Sequence, residues 1–261
     1  MNNTPDALSY HSHKRILLLG EADFSFARAF AQEFGSNTID NTTSTSSIEI
    51  TATEVGNGPN ITSRYHDGNA SSATQSISSL NNLVKEVVCG LNARLLGDKE
   101  ACACQRWNNA EQDWDAPSLF WNNKKADAAT DSTSSSSRTT SFDLIIFNFP
   151  HCEQAGRTKR LIRALFKQLR ICLDDGRLPK NVVLEMRLRI LESDPTRRKN
   201  IRSFYNHEEA AEESRFALIG CWPSDLQRWE ELGYAHKWTK KNATCRDIGL
   251  LCKVWRWRAE A

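Results

Sequence analysis

Long apolar segments are missing from this sequence of 261 residues. No run of about 18 apolar residues, the length that a membrane-spanning helix requires, occurs in it. Neither sign of charge dominates, because 34 lysines and arginines stand against 32 aspartates and glutamates, for a formal net charge of +2. We therefore expect no membrane partner, and any binding of a nucleic acid must depend on local basic clusters.

Paired cysteine motifs are missing as well, although the chain contains eight cysteines. Cys102 and Cys104 form a C-x-C pair instead of the C-x-x-C pair that is typical of zinc knuckles, and no second pair follows. Other cysteines stand among apolar residues and are predicted to be reduced core residues: Cys89, Cys172, Cys221 and Cys252. The sequence predicts no bound metal.

The G-x-G-x-x-G turn of dinucleotide-binding folds is also missing. An apolar run at residues 15–20 ends in Gly20, which is typical of a buried strand that enters a tight turn, and Glu21 and Asp23 follow it. Two carboxylates in this turn would repel a diphosphate. They suit a cofactor with cationic groups, such as S-adenosylmethionine, although only the charge supports this inference.

Hydrophobic periodicity predicts alternating strands and helices. The turn at Gly20 leads into a helix at residues 26–34, with Asp23 as its candidate N-cap. Further strands are predicted at 48–54, 87–93, 142–147 and 181–188, and further helices at 71–85, 157–172 and 223–233. Residues 234–239 and 248–257 are predicted to form a terminal antiparallel pair. This order favours an α/β, Rossmann-like fold with a mostly parallel seven-stranded sheet, an antiparallel last strand and helices on both faces.

The predicted organisation is a single domain at residues 15–258, preceded by a flexible leader at 1–14. A chain of this length can bury a core on both faces of one sheet. Two polar segments rich in Ser, Thr and Asn, at about residues 36–47 and 97–141, are predicted to be disordered insertions.

Residues 142–151, which read FDLIIFNFPH, carry the strongest functional signal. The apolar residues predict a strand buried on both faces. Pro150 ends this strand and should force Phe149 into an extended conformation. Ligands of open parallel sheets bind outside the carboxyl ends of the strands, so Asn148 and His151 would lie where chemistry is done. The alternative is a core strand that runs into a loop, with Asn148 as an ordinary turn residue.

Glu54 ends the predicted second strand, the usual position of an acidic partner for ribose hydroxyls. It lies further from Gly20 than the usual spacing of about 20 residues. The Ser- and Thr-rich insertion between them accounts for the difference. The alternative is an exposed glutamate at a strand end.

The same motifs resemble a known family. The chain reads LLGEADFSF at residues 18–26, ITAT at 50–53 and FDLIIFNFPH at 142–151, which is similar to the eukaryotic large-subunit rRNA (uridine-N3)-methyltransferases over roughly residues 15–187. The resemblance implies a Rossmann-like methyltransferase that uses S-adenosylmethionine and acts on rRNA in a pre-ribosomal particle. It also implies a monomer in the nucleolus or nucleus, with the cytoplasm as the alternative.

The resemblance assigns roles to named residues. Cofactor contacts are expected from Gly20, Glu21, Ala22, Asp23, Phe24, Ser25, Glu54 and Asn92. In the loop that contains Pro150, Asn148 is expected to bind the edge of the target base, and Phe149 or Phe147 to stack on its face. His151 would accept the proton of uracil N3, directly or through water; the alternative is a loop histidine that caps a backbone carbonyl.

Departures from the family pattern leave other functions open. Ala22 stands where the family has a second glycine, and Asn92 where it has an aspartate. A catalytically silent RNA-binding module on the same fold is one alternative, and a methyltransferase with a different acceptor is another. Basic clusters could follow phosphates or be solvated surface: Lys159, Arg160 and Arg163; Arg197, Arg198, Lys199 and Arg202; Lys240 and Lys241; Arg256 and Arg258.

Overall fold

A computed structural model of the protein describes residues 10, 12–20, 24–34, 48–54, 77–108, 110–121, 141–150, 155–190, 205–234 and 251–260. The strands are β1 (Arg15–Leu19), β2 (Glu49–Glu54), β3 (Glu86–Cys89), β4 (Ala103–Asn108), β5 (Asp113–Trp114), β6 (Ser118–Leu119), β7 (Leu144–Asn148), β8 (Val183–Ile190), β9 (Phe216–Pro223) and β10 (Leu251–Ala259). The helices are α1 (Ser25–Phe34), α2 (Ala155–Asp174), α3 (His207–Glu213) and α4 (Leu226–Glu231), with a 3-10 turn at Ala93–Leu95.

The strands form one mixed sheet in the order β5-β4-β3-β2-β1-β7-β8-β10-β9, and β6 pairs with β4. The central strands β3, β2, β1, β7 and β8 run parallel. Strand β10 is antiparallel to both of its neighbours, β8 and β9. The strand order reverses at β1, the position at which open α/β sheets bind ligands. The predicted Rossmann-like fold is confirmed, and its last strand is antiparallel as predicted, but the sheet has ten strands among the described residues instead of seven.

The sheet is covered on both faces, which explains its apolar central strands. Leu17, Leu19 and Ile145 belong to the core that includes α2, whereas Leu18 and Ile146 belong to the core that includes α1. Both helices were predicted from their apolar spacing, and each buries its apolar side against the sheet. No helix within the described ranges is long and apolar enough to cross a membrane.

Part of the predicted disordered insertion at 97–141 is a folded extension of the sheet. Strand β4 pairs antiparallel with β3, and Arg106 forms an ion pair with Glu86 of β3. Trp107 is buried, with its ring 5.2 Å from that of Trp114. The prediction was wrong for residues 97–108 and 110–121 because β4, near the edge of the sheet, carries polar side chains without the alternation of a half-buried strand. The rest of the two predicted insertions lies outside the described residues: 36–47 and 122–140.

The C-terminal strand pairing differs from the prediction. Strand β10 pairs with β9, and the residues predicted as its partner, 234–239, lie outside the described residues except for Tyr234, which is not in a strand. The sequence concealed β9 because it is an edge strand in which Leu218 and Ile219 are about half exposed, 47% and 49%. Its Gly220 also interrupts the apolar pattern.

Three smaller predictions also change. The strand predicted at 87–93 ends at Cys89, since Gly90 has a φ of +78°. In the helix predicted at 71–85, residues 77–81 are helical and a turn follows. The predicted leader contains Tyr10, which is buried at 6% exposure. Tyr10 is therefore part of the folded domain, while the rest of residues 1–11 lies outside the described part of the chain.

Candidate functional site

The carboxyl ends of four parallel strands, β3, β2, β1 and β7, lie at one level across the sheet, and this level passes through Arg187 within β8. Leu18 pairs with Ala52 on one side and with Ile146 on the other, and Gly20 lies two residues further along. The strand-end row, as we call this level, consists of Cys89, Glu54, Gly20, Asn148 and Arg187. Adjacent members lie on neighbouring strands about 4.8 Å apart. The row therefore brings together residues from the three segments that the sequence singled out.

Gly20 forms the turn at the centre of the strand-end row. Its φ of +71° belongs to the left-handed region that favours glycine. A Cβ atom at this position would lie 2.9 Å from Cε2 of the Phe147 ring, so the turn after β1 packs directly against the end of β7. The predicted contacts Glu21, Ala22 and Asp23 lie outside the described residues.

The next two predicted cofactor contacts begin α1. Phe24 is buried, and its ring belongs to the core beside α1. Its φ of +59° and the hydrogen bond from Arg28 N to its carbonyl at 3.0 Å fix the entry into the helix. Ser25 is half-buried as the first helical residue. Both lie where the chain enters α1 after the Gly20 turn.

Glu54 is a buried carboxylate at the end of β2, with 3% of its surface exposed. An exposed strand-end glutamate, the alternative from the sequence, is therefore wrong. Its backbone carbonyl accepts a hydrogen bond from Leu91 N at 3.2 Å, which ties the loop after β3 to β2. A carboxylate is an acceptor, and ribose hydroxyls are donors that it could bind.

Asn92 lies in this loop after β3 and is half-buried. Its Oδ1 accepts a hydrogen bond from Arg94 N at 3.0 Å and caps the 3-10 turn. A carbonyl oxygen has two lone pairs, so the capping bond leaves the side chain able to accept a second hydrogen bond. The structure thus gives Asn92 a local structural role in addition to the cofactor contact predicted for it.

Asn148 ends β7 and is buried, with its Oδ1 accepting a hydrogen bond from Arg187 Nη1 at 2.9 Å. Phe149 follows with a φ of +46°, so the extended conformation predicted for it is wrong. Its N–H donates to the carbonyl of Arg187 at 3.0 Å, which continues the pairing of β7 with β8 past the end of the strand. Pro150 is buried, and His151 lies outside the described residues.

Phe149 carries a flat aromatic surface at this edge of the sheet. Its half-buried ring is parallel to that of Tyr234, with centroids 6.4 Å apart and 6° between the planes. Phe147, the other predicted stacking residue, packs instead against the Gly20 turn. The geometry therefore favours Phe149 over Phe147 as the ring that a base would contact.

A buried charge network of Tyr10, Glu185, Arg187 and Arg256 adjoins Asn148. Glu185 Oε1 lies 2.8 Å from Arg187 Nη2, and its Oε2 accepts a hydrogen bond from Arg256 Nε at 2.6 Å. The Tyr10 hydroxyl donates to Glu185 at 3.0 Å and accepts from Arg187 at 3.2 Å. Burial and the Glu185 carboxylate raise the pKa of Tyr10 to about 12, so its hydroxyl stays protonated at neutral pH.

Aromatic rings complete the surroundings of both guanidiniums in the buried charge network. Arg187 lies 4.5 Å from the centroid of the Phe26 ring, and Arg256 lies 4.6 Å from that of Tyr10. Burial lowers the pKa of Arg256, but Glu185 and Tyr10 outweigh it, so that this pKa lies above its ordinary value. Paired in this way, charged groups can be retained in a core.

Sequence reasoning missed this network and named only Arg256 among its members, as part of a basic cluster. Glu185 and Arg187 did leave a signal: they stand two residues apart in an apolar strand, which places both on one face of a covered sheet. The pairing of Tyr10 and Arg256 with Glu185 left no signal, because they are 175 and 71 residues away from it in the chain.

Two of the predicted basic residues are engaged by the protein itself. Arg163 forms ion pairs with Glu209 and Glu213, at 3.1 and 2.8 Å, and Arg256 is buried in the charge network. Neither is placed to follow phosphates. The clusters at 197–202 and 240–241 lie outside the described residues. Among the residues that are described, no group of three His, Cys, Asp or Glu side chains is arranged to hold a metal ion.

The strand-end row fits a nucleoside-bearing cofactor with a positive charge. Gly20 supplies a tight backbone turn, closed on one side by the Phe147 ring, and Glu54 supplies a buried carboxylate on the far side of β1 from Asn148. At the other end, Asn148 and Phe149 offer an amide and an aromatic face, which suit the edge and the plane of a base.

The chain is similar to a known family of proteins. The family model BMT5-like, described as rRNA (uridine-N3-)-methyltransferase, matches residues 17–238. No curated protein matches the chain.

Several solved structures are similar to the chain at low identity. A 30S ribosomal methyltransferase from an uncultured bacterium is 11% identical, with a TM-score of 0.43, and the match covers 95% of this chain and 88% of that one. The 16S rRNA methyltransferase KamB is 10% identical, with a TM-score of 0.43 and coverages of 100% and 95%. The N-methyltransferase NodS from Bradyrhizobium japonicum is 11% identical, with a TM-score of 0.39 and coverages of 100% and 100%.

Proposed function

Because this chain belongs to the BMT5-like family of rRNA (uridine-N3-)-methyltransferases, we propose that its strand-end row binds S-adenosylmethionine next to a uridine of large-subunit rRNA. The enzyme transfers a methyl group from S-adenosylmethionine to N3 of a uridine in rRNA. The observation that carries the proposed site is the packing of the Gly20 turn against Phe147. It makes the two motifs neighbours, although 127 residues separate Gly20 from Phe147 in the sequence.

The cofactor contacts follow from positions along the strand-end row. Glu54 would accept hydrogen bonds from the ribose hydroxyls. The backbone of the Gly20 turn would lie against the amino acid part of the cofactor, whose ammonium group suits Glu21 and Asp23. Asn92 would accept a hydrogen bond from the adenine amino group through the oxygen that also caps the 3-10 turn.

The base contacts follow from the end of β7. Asn148 would bind the edge of the uracil, and Phe149 would stack on its face, an interaction worth about 1–3 kcal/mol per base. A uridine within a helix must first leave the stack to reach these groups. Pro150, which is buried, would hold the loop in place.

Methyl transfer requires the uracil N3 to lie in line with the methyl group that S-adenosylmethionine supplies. N3 would form the new N–C bond while the S–C bond of S-adenosylmethionine breaks. The electron pair of the broken bond would stay on sulfur and leave S-adenosylhomocysteine. The N3 proton passes to His151, directly or through water, as the conjugate base forms. Holding the two reactants in this geometry supplies much of the rate enhancement.

A comparison of rRNA nucleosides tests the proposal. Large-subunit rRNA from cells with and without the gene is digested and analysed by mass spectrometry, and we expect 3-methyluridine to be lost without the gene. Calorimetric titration of the purified protein with S-adenosylmethionine is carried out in parallel. Heat of binding without any change in 3-methyluridine would point to another acceptor. If there is neither heat of binding nor a change in 3-methyluridine, the protein is a silent RNA-binding module.

The same substrate suggests where the enzyme works. We propose that it acts as a monomer on a pre-ribosomal particle in the nucleolus. A fluorescent fusion should then coincide with a nucleolar marker, and sedimentation should give the mass of one chain. A uniform cytoplasmic signal would contradict the proposed location but not the activity.

A further inference from the structure

We infer that Arg187 is a positioning residue that makes Asn148 a hydrogen-bond donor to a carbonyl oxygen next to uracil N3. This inference rests on the proposed function, in which Asn148 contacts the base. It adds the direction of that contact and the residue that sets it.

The chemistry of the two side chains determines which end of the amide faces Arg187. A guanidinium has donors and no acceptor. Since Arg187 Nη1 lies 2.9 Å from the Asn148 side chain, the atom it contacts must be the amide oxygen. The amide nitrogen, with its two hydrogens, lies on the other side of Cγ. Arg187 occupies the oxygen side of the amide, so the side of Asn148 that faces away from Arg187 carries the donor, and in this inference that donor binds the base.

Arg187 is itself held firmly enough to impose this direction. It is buried at 1% exposure, and Nη2 contacts Glu185 at 2.8 Å and the Tyr10 hydroxyl at 3.2 Å. Its guanidinium lies over the Phe26 ring. Its backbone carbonyl accepts the N–H of Phe149, so the same residue also holds the loop that follows Asn148.

A donor at Asn148 matches the chemistry of uracil. Carbonyl oxygens flank N3 on both sides, and an amide N–H₂ group can donate to either of them. When N3 loses its proton, negative charge spreads onto these oxygens, and a hydrogen bond to a charged acceptor is stronger than one to a neutral acceptor. The contact therefore tightens as the reaction proceeds, which is the condition for accelerating it. In cytosine an amino group replaces one of the oxygens, and this donor would oppose the amide.

The variant Asn148→Asp tests the direction of the hydrogen bond. A carboxylate keeps the shape of the amide and pairs with Arg187, but it can only accept. We expect the affinity for S-adenosylmethionine to be unchanged and kcat for methylation of unmodified, transcribed large-subunit rRNA to fall by about a hundredfold or more. If Asn148 acted as an acceptor for the N3 proton, the carboxylate would do so at least as well. Methylation by Asn148→Asp at the wild-type rate therefore overturns the inference.

A second pair of variants tests the role of Arg187 and remains informative if Asn148→Asp does not fold. Arg187→Met removes the donor to Asn148 and should lower kcat by about tenfold to a hundredfold, with an unchanged Kd for S-adenosylmethionine. Arg187→Lys keeps a donor and should recover most of the loss. Equal kcat values for the two variants would overturn the inference.

The matched control is Arg177→Met. Arg177 is also a buried arginine, paired with Asp175 and lying 5.0 Å from the Trp121 ring, on the loop after α2 and away from the strand-end row. The variant Arg177→Met should lower Tm and leave kcat unchanged. A drop in kcat equal to that of Arg187→Met would show a general loss of stability and overturn the inference.

The proposed function is tested separately from this inference. If the wild-type protein itself forms no 3-methyluridine, the proposed function fails. If the wild type is active and the variants behave otherwise than expected, the inference alone fails.

Discussion

Gly20 is required for two separable reasons, its backbone conformation and its contact with Phe147. Gly20→Ala places a methyl group 2.9 Å from the Phe147 ring at a φ of +71°. We expect a loss of about 2–4 kcal/mol of unfolding free energy and weaker binding of S-adenosylmethionine. Gly176 has a φ of +77°, and a methyl group added there would meet no atom within 4 Å. Gly176→Ala should therefore cost only about 1 kcal/mol, with no change in binding. Equal losses in denaturant titrations would show that the Phe147 contact has no effect.

Glu54 and Glu49 stand at opposite ends of the same strand and allow a matched test of the ribose contact. Glu54→Gln removes the charge at the end of β2 and should weaken binding of S-adenosylmethionine by about tenfold. Glu49 is half-buried and paired with Lys85 at the start of β2, away from the strand-end row, so Glu49→Gln should bind as the wild type does. Calorimetry measures both values. An unchanged affinity in Glu54→Gln removes this residue from the cofactor site.

Tyr10 should make the stability of the protein depend on pH at the alkaline end. The pKa of its hydroxyl is about 12 in the folded protein and about 10 in the unfolded chain. The stabilisation is therefore complete below pH 10 and is lost as the pH rises towards 12. The difference in unfolding free energy between the wild type and Tyr10→Phe should shrink by about 1.4 kcal/mol between pH 9 and pH 11. Denaturant titrations at the two pH values measure it, and a constant difference contradicts the burial of Tyr10.

At the scale of elements, β4 turns a polar segment into part of the sheet. Trp107→Ala should destabilise the protein by about 3–5 kcal/mol, because it removes a large buried side chain. The exposed Glu111, in the same segment, is the control, and Glu111→Ala should have an effect within about 0.5 kcal/mol. Hydrogen exchange of the wild type should show protected amides in residues 103–108. Rapid exchange throughout this range would restore the prediction of a disordered segment.

Elements with a strong apolar pattern were predictable, and edge elements were not. Strands β1 and β7 are apolar throughout because both faces of the sheet are covered, and the apolar spacing in α1 and α2 is that of helices packed on one side. Strands β4 and β9 lie near the sheet edges, where half of the side chains meet solvent. Their sequences therefore resemble loops, and the pairing of β9 with β10 depends on contacts that no local pattern contains.

The residues of the candidate site were also predictable only in part. Gly20, Glu54 and Asn148 were predictable because each ends an apolar strand, and strand ends of a parallel sheet meet at one edge. The bond from Arg187 to Asn148 was not, because it joins side chains 39 residues apart whose pairing follows from the register of β7 and β8. The φ of Phe149 was missed because a tertiary hydrogen bond overrides the preference that a following proline imposes.

For the whole molecule, the fold converts distant motifs into one site. The first turn and the end of β7 are adjacent only because β1 and β7 pair at the point where the strand order reverses. The buried charge network then links Tyr10, near the start of the chain, to Arg256 in the last strand. Folding of the C-terminal strand and the shape of the site at Asn148 are therefore coupled through Glu185.

The measurement that tests this account most directly is a crystal structure with S-adenosylhomocysteine. We predict that its ribose contacts Glu54, that its amino acid part lies against the Gly20 turn, and that its sulfur faces Asn148 and Phe149. Binding of S-adenosylhomocysteine at any other surface, with no contact to Gly20 or Glu54, would contradict the account.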